Sequence, residues 1–133
     1  AVRLERQAAT ALTVANWLLE RPEVEGVHLP ALESSPDHAL WKRDFSGASG
    51  VFAFTLKTAP PDRLTAMLKS LDLFAMGFSW GGYESLIVPV DEGMIRTATS
   101  WTAAGPTLRI SIGLEHPDDL IADLSKALDA LRE

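Results

Sequence analysis

Cysteine is absent from the 133 residues. That removes disulfides, thiolate metal sites and cysteine nucleophiles, and it permits an intracellular compartment without requiring one. Basic residues are sparse and scattered: 12 Lys and Arg stand against 18 Asp and Glu, for a formal net charge of −6. A phosphate-backbone partner normally shows itself as a basic patch or stripe, so nucleic acid is not an expected partner. Long apolar runs are missing too, none approaching the ~20 residues that span a bilayer. The N-terminus lacks the charged-then-apolar order of a signal peptide. A soluble, cytoplasmic chain with no membrane partner is the expectation. His28, His38 and His116 lie far apart with no pair at helical spacing, which leaves no expected metal site. Glycine clusters at 47–50 and 80–82 match no phosphate-loop spacing and read as turns or close approaches. Tyrosine occurs once, at Tyr83.

What is present is ordinary for one globular unit: 47% hydrophobic and 23% charged residues, in a length able to bury a core. A single domain over residues 1–133 is expected. The chain opens without an initiating Met and inside a strong helix, with Leu4, Ala8, Ala11, Leu12, Ala15, Leu18 and Leu19 recurring at three- and four-residue steps. No N-cap precedes that helix, so the chain is expected to be the C-terminal piece of something longer. Pro22 ends the helix, and Val24 to Leu29 reads as a short strand. Pro36 and Asp37 suit the start of a helix running through Phe45. "VFAFTL" is a strand with Phe52, Phe54 and Leu56 on one face. "PPDRLTAMLKSL" is an amphipathic helix carrying Leu64, Met67, Leu68 and Leu71. Residues 91–105 read as loop that could hold a short helix. "TLRISI" alternates cleanly. In the last helix Pro117 fits the first turn, His116 helps to begin it, and Asp118 and Asp119 sit where the helix dipole favours anions, a capping role rather than acid–base work. Leu120, Ile121, Leu124, Leu128 and Leu131 form its buried stripe. The sum is an α/β layered (α+β) domain: a small, mostly antiparallel sheet covered by helices on one face.

Two places invite a functional reading. The first is "MGFSWGGYESL", residues 76–86, where a serine, a tryptophan and two adjacent glycines stand in the middle of a strand-like apolar run, and glycine weakens a strand unless backbone must turn or something must come close. The second is "TLRISI". If Leu108, Ile110 and Ile112 face the helices, then Thr107, Arg109 and Ser111 share the opposite, polar face. Arginine is well shaped to hold a carboxylate through two parallel charge-assisted hydrogen bonds. From the pattern alone, a solvated strand arginine or a structural salt bridge stands beside that role, core packing is open for Trp80, and Ser79 says little.

Three segments, "HALWKRDFSGASGVFAF", "FSWGGYESLIVP" and "LRISIGLEHPDDLIADLSKAL", resemble the C-terminal domain of the Cys/Met-metabolism enzymes that use pyridoxal phosphate, most closely the cystathionine β-lyase branch. The resemblance runs over essentially the whole chain and in order. "R-x-S-x-G-x-E-x-x-x-D-L" before a terminal helix is its most specific part. It implies the C-terminal domain of a fold-type-I pyridoxal-phosphate enzyme, a homotetramer when complete, that cleaves cystathionine by α,β-elimination to homocysteine, pyruvate and ammonia. It places the α-carboxylate of the amino-acid substrate on Arg109, Ser79 beside the cofactor-bearing lysine, and Trp80 in the lining of the carboxylate site. Trp80 also favours the β-lyase branch, since sister γ-synthases and γ-lyases usually carry Leu after this serine.

The departure from the family pattern is large. None of Lys42, Lys57, Lys69 or Lys126 stands in the Ser-x-Thr-Lys context of the cofactor lysine. No catalytic or cofactor-binding residue is therefore expected in this chain, and by itself it should be inactive. Two alternatives stay open: a sister enzyme such as a cystathionine γ-synthase, a methionine γ-lyase or a sulfhydrylase, and a free-standing module that binds an amino acid without chemistry.

Overall fold

Helices and strands alternate along the computed structural model, which describes residues 2–90 and 95–132. In chain order they are α1 (Val2–Leu19), β1 (Val24–His28), α2 (His38–Asp44), β2 (Val51–Leu56), α3 (Pro61–Lys69), β3 (Ala75–Met76), β4 (Leu86–Pro89), β5 (Thr107–Ser111) and α4 (Pro117–Asp129). The strands form one sheet in the order β1-β2-β5-β4-β3, antiparallel throughout except for the short parallel pair β3 and β4. No helix among the described residues is long and apolar enough to cross a membrane.

The last strand in sequence is central in space. β5 fits between β2 and β4, and its register sets Leu108 opposite Phe54 and Ile110 opposite both Phe52 and Ile87. These apolar cross-strand pairs build one continuous face, and all of them are buried together with Leu56 and Ile112. Ala11, Val14, Ala15 and Leu18 of α1, Met67 of α3, and Leu120, Leu124, Ala127 and Leu128 of α4 belong to the same core. α2 buries no residue completely. The layered arrangement read from the sequence is the one observed.

Several local expectations shift. The buried face of α1 comprises Gln7, Thr10, Ala11, Val14, Ala15 and Leu18, while Leu4 and Leu19 are exposed. Of the α3 stripe only Met67 is fully buried, with Leu64, Leu68 and Leu71 packed at the edge of the core. The stripe of α4 stands, with Ile121 and Leu131 partly buried, and it gains Asp123, a buried carboxylate. His116 caps α4 as expected, its Nδ1 accepting the Asp118 N–H at 3.3 Å, with Pro117 in the first turn. Residues 95–105 carry neither helix nor strand, and residues 91–94 lie outside the described residues.

Candidate functional site

Arg109 sits at the middle of β5, flanked on both sides by paired strands. Its cross-strand row reads His28, Ala53, Arg109, Val88. Alternation puts this row on the sheet face away from the core, as expected for Arg109. The face is polar but closed to solvent on either side of Arg109, since Thr107 and Ser111 are each only 1% exposed. Thr107 Oγ1 lies 3.0 Å from Thr55 Oγ1, which lies 2.8 Å from His28 Nε2. A hydroxyl-to-imidazole chain therefore satisfies groups that strand polarity alone would send to water.

Between Met76 and Leu86 the strand-like run is not a strand. Pairing stops at Met76 and resumes at Leu86, and the residues between form an irregular loop. Gly81 has φ +76°, a conformation that glycine takes without steric cost. The loop's outward side chains are large and apolar: Phe78, Trp80 and Tyr83 are 74%, 68% and 67% exposed. Trp80 is thus not a core residue in this structure.

Arg109 reaches this loop. Its Nη2 donates to the carbonyl oxygens of Phe78 at 2.7 Å and Ser79 at 2.8 Å. Its Nε is buried without a partner. Ser79 therefore meets Arg109 through its backbone, and its exposed side chain plays no part in that contact. A buried N–H without an acceptor is costly, and a carboxylate is the acceptor a guanidinium binds best.

Beside this arginine opens a cleft of about 640 Å³, whose lining includes His28, Ser35, Arg96, Trp101, Thr107 and Arg109. Trp101 stands edge-on to His28 with ring centroids 5.0 Å apart, and the Arg96 guanidinium lies 4.9 Å over the indole. The Trp101 Nε1 is a second buried donor without a partner. Burial, helped by the charge of Arg96, holds the His28 imidazole below its ordinary pKa and so favours its neutral form. Asp37 adds one carboxylate to the lining. Two guanidinium groups and two unpartnered donors suit the cleft to an anion. Arg96 and Trp101 carry no signal in the sequence, because residues 95–105 have no periodicity from which to place them, and His28 reads there only as one residue of a short strand.

The chain's lysines lie elsewhere. Lys42 is in α2, Lys57 follows β2, Lys69 ends α3, and Lys126 in α4 donates to Asp72 at 2.7 Å. None belongs to the cleft lining, so the residues present do not fit a site that would bind a pyridoxal group through a lysine.

Comparison with known proteins adds context. A family model described as "Cys/Met metabolism PLP-dependent enzyme" matches residues 1–129. The chain is 47% identical over 128 residues to a cystathionine beta-lyase of Salmonella typhimurium, covering 93% of this chain and 32% of that protein. It is 41% identical to an L-alanine/L-glutamate racemase of Wolbachia pipientis, covering 97% of this chain and 32% of that one. Among solved structures, a putative O-acetylhomoserine (thiol)-lyase of Campylobacter jejuni, which carries N'-pyridoxyl-lysine-5'-monophosphate, aligns with a TM-score of 0.77 at 35% identity, over 97% of this chain and 29% of that one. The chain spans about a third of the length of the curated relatives it matches.

Proposed function

The chain belongs to the Cys/Met metabolism PLP-dependent enzyme family, and from that premise we propose that it is the C-terminal substrate-recognition domain of a carbon–sulfur lyase of the cystathionine β-lyase type. The complete enzyme would convert cystathionine and water to homocysteine, pyruvate and ammonia. The contribution of this domain is the α-carboxylate site. Arg109 would hold the carboxylate, with the Ser79 carbonyl setting the guanidinium and Trp80 lining the approach. The observation that carries the reading is Arg109 itself: a central-strand guanidinium tied to the Ser79 loop by Nη2, with its Nε lacking an acceptor. An arriving carboxylate can accept from the Nε that the Phe78 and Ser79 carbonyls leave without an acceptor, and its full charge makes that a strong bond.

Pyridoxal phosphate, the electron sink for such an elimination, would be held outside this chain, since no lysine lines the cleft. In the parent we place the domain in a cytoplasmic homotetramer, a reading supported by the family resemblance.

The test is Arg109→Ala in the full-length enzyme. Leaving a buried carboxylate unpaired costs roughly 2–5 kcal/mol, so kcat/KM should fall about 30-fold to several thousand-fold. Arg109→Lys should recover only part, because an ammonium keeps the charge and loses the planar fork. An Ala variant within threefold of wild type would end the assignment. The 41% identity to a racemase favours a second reading, a sister enzyme that binds the same amino-acid carboxylate for different chemistry. Product analysis of the full-length enzyme with cystathionine, alanine and glutamate separates the two.

A further inference from the structure

The loop that presents Ser79 and Trp80 is gripped from behind as well as by Arg109. At its far end stands Ser85, with no exposed surface. Its backbone N–H donates to Glu115 Oε1 at 3.0 Å and its hydroxyl donates to Glu115 Oε2 at 2.8 Å, while the same hydroxyl oxygen accepts the Gly113 N–H at 2.8 Å. The Leu114 N–H donates to the Tyr83 carbonyl at 2.8 Å. From α1 the buried Gln7 side chain donates to the Gly82 carbonyl at 2.6 Å. Backbone packs so closely here that a Cβ on Gly113 would lie 2.2 Å from the Tyr83 oxygen.

β5 and its continuation therefore hold both ends of one loop, Arg109 at Phe78 and Ser79, Glu115 at Ser85. We propose that Glu115, acting through Ser85 and seconded by Gln7, is a positioning residue for the carboxylate site. It fixes the loop so that the Phe78 and Ser79 carbonyls stay on the Arg109 guanidinium. This inference rests on the function proposed above. The chemistry is specific to a carboxylate, because both of its oxygens act only as acceptors and they take the two donors of one residue, fixing backbone and side chain together. An amide in its place turns one acceptor into a donor facing a hydroxyl that already accepts from Gly113. With Ser85 released, that end of the loop is left to the Leu114–Tyr83 and Gln7–Gly82 bonds and to the pairing of Leu86 with Ser111.

Two measurements on Glu115→Gln test this. In the chain itself, hydrogen exchange over residues 77–85 should quicken at least tenfold while the cores of α1 and α4 keep their protection, and Glu115→Asp should restore part of it. In the full-length enzyme, kcat/KM should fall about tenfold, and the loss should largely vanish when Arg109 is already Lys, because both substitutions then spoil one contact. Faster exchange with kcat/KM within twofold of wild type, in an enzyme that Arg109→Ala cripples, would overturn the positioning role and leave the proposed function standing. Losses that multiply in the double variant would also overturn it. If Arg109→Ala is itself harmless, the function fails and takes this inference with it. Gln7→Leu, which keeps the volume on α1 and removes the Gly82 tether, gives the same readouts if Glu115→Gln does not fold.

Discussion

Trp80 and His28 show how differently two site residues depend on their surroundings. At 68% exposure Trp80 contributes little to the core, so Trp80→Leu should leave the melting temperature of the chain nearly unchanged. In the full-length enzyme the same change should lower kcat/KM for cystathionine through loss of an indole donor and contact area. Unchanged kinetics across substrates would remove Trp80 from the site. For His28 the sign follows from the direction of its shift. Its folded pKa lies below the ordinary value of 6.5 because burial, then Arg96, disfavours the cation. The unfolded chain therefore takes up the proton first, and stability is lost as pH falls below about 6.5 until the folded imidazole is also protonated. His28→Gln should flatten this part of a melting-versus-pH curve between pH 7.5 and 5. An equal slope in both proteins would show that His28 is not its source.

Among the elements, α4 does more than cover the sheet. Asp123, 6% exposed on its inner face, accepts the backbone N–H groups of Asp72 at 2.9 Å, Leu73 at 2.8 Å and Phe74 at 3.4 Å. These residues lead from α3 into β3 and so to the site loop. Asp123→Ala takes the acceptor from three backbone N–H groups, of which only that of Phe74 is buried, and should cost about 1–3 kcal/mol in a urea titration, with Asp123→Asn milder because an amide oxygen still accepts. A change below 0.5 kcal/mol would mean that water replaces the carboxylate. β3 has two residues, too short to hold the site loop by pairing alone, which is why side chains from α1, α4 and the end of β5 carry that task.

For the whole molecule, the helices and sheet share one core, so the chain should fold by itself. It should nevertheless retain no pyridoxal phosphate after mixing and dialysis, because no lysine lines the cleft beside Arg109. Absorbance of the dialysed protein checks this. A stoichiometric adduct on one lysine, trapped by borohydride, would overturn it, whereas scattered substoichiometric labelling would not.

Periodicity and capping were enough to determine the layers, most strand and helix limits, the cap at His116 and the face on which Arg109 lies, because each depends on residues within a few positions of one another. The motif "RISIGLE" was enough to point to a family. What sequence alone did not determine was the burial of polar groups: Gln7 and Thr10 on α1, Asp123 on α4, Ser85 beside Glu115, Thr55 with Thr107, and Ser111 on β5. A polar side chain counts as outward until a distant partner is known, and the partners of Gln7, Asp123, Ser85, Thr55 and Thr107 stand between 27 and 75 positions away. The same holds for the loop at 76–86. Its apolar composition suits a strand, but three-dimensional packing gives its backbone to Arg109, Gln7 and Leu114 instead of to a neighbouring strand. Only the tertiary structure could decide that exchange, since local preference is weak against several hydrogen bonds supplied from elsewhere in the chain.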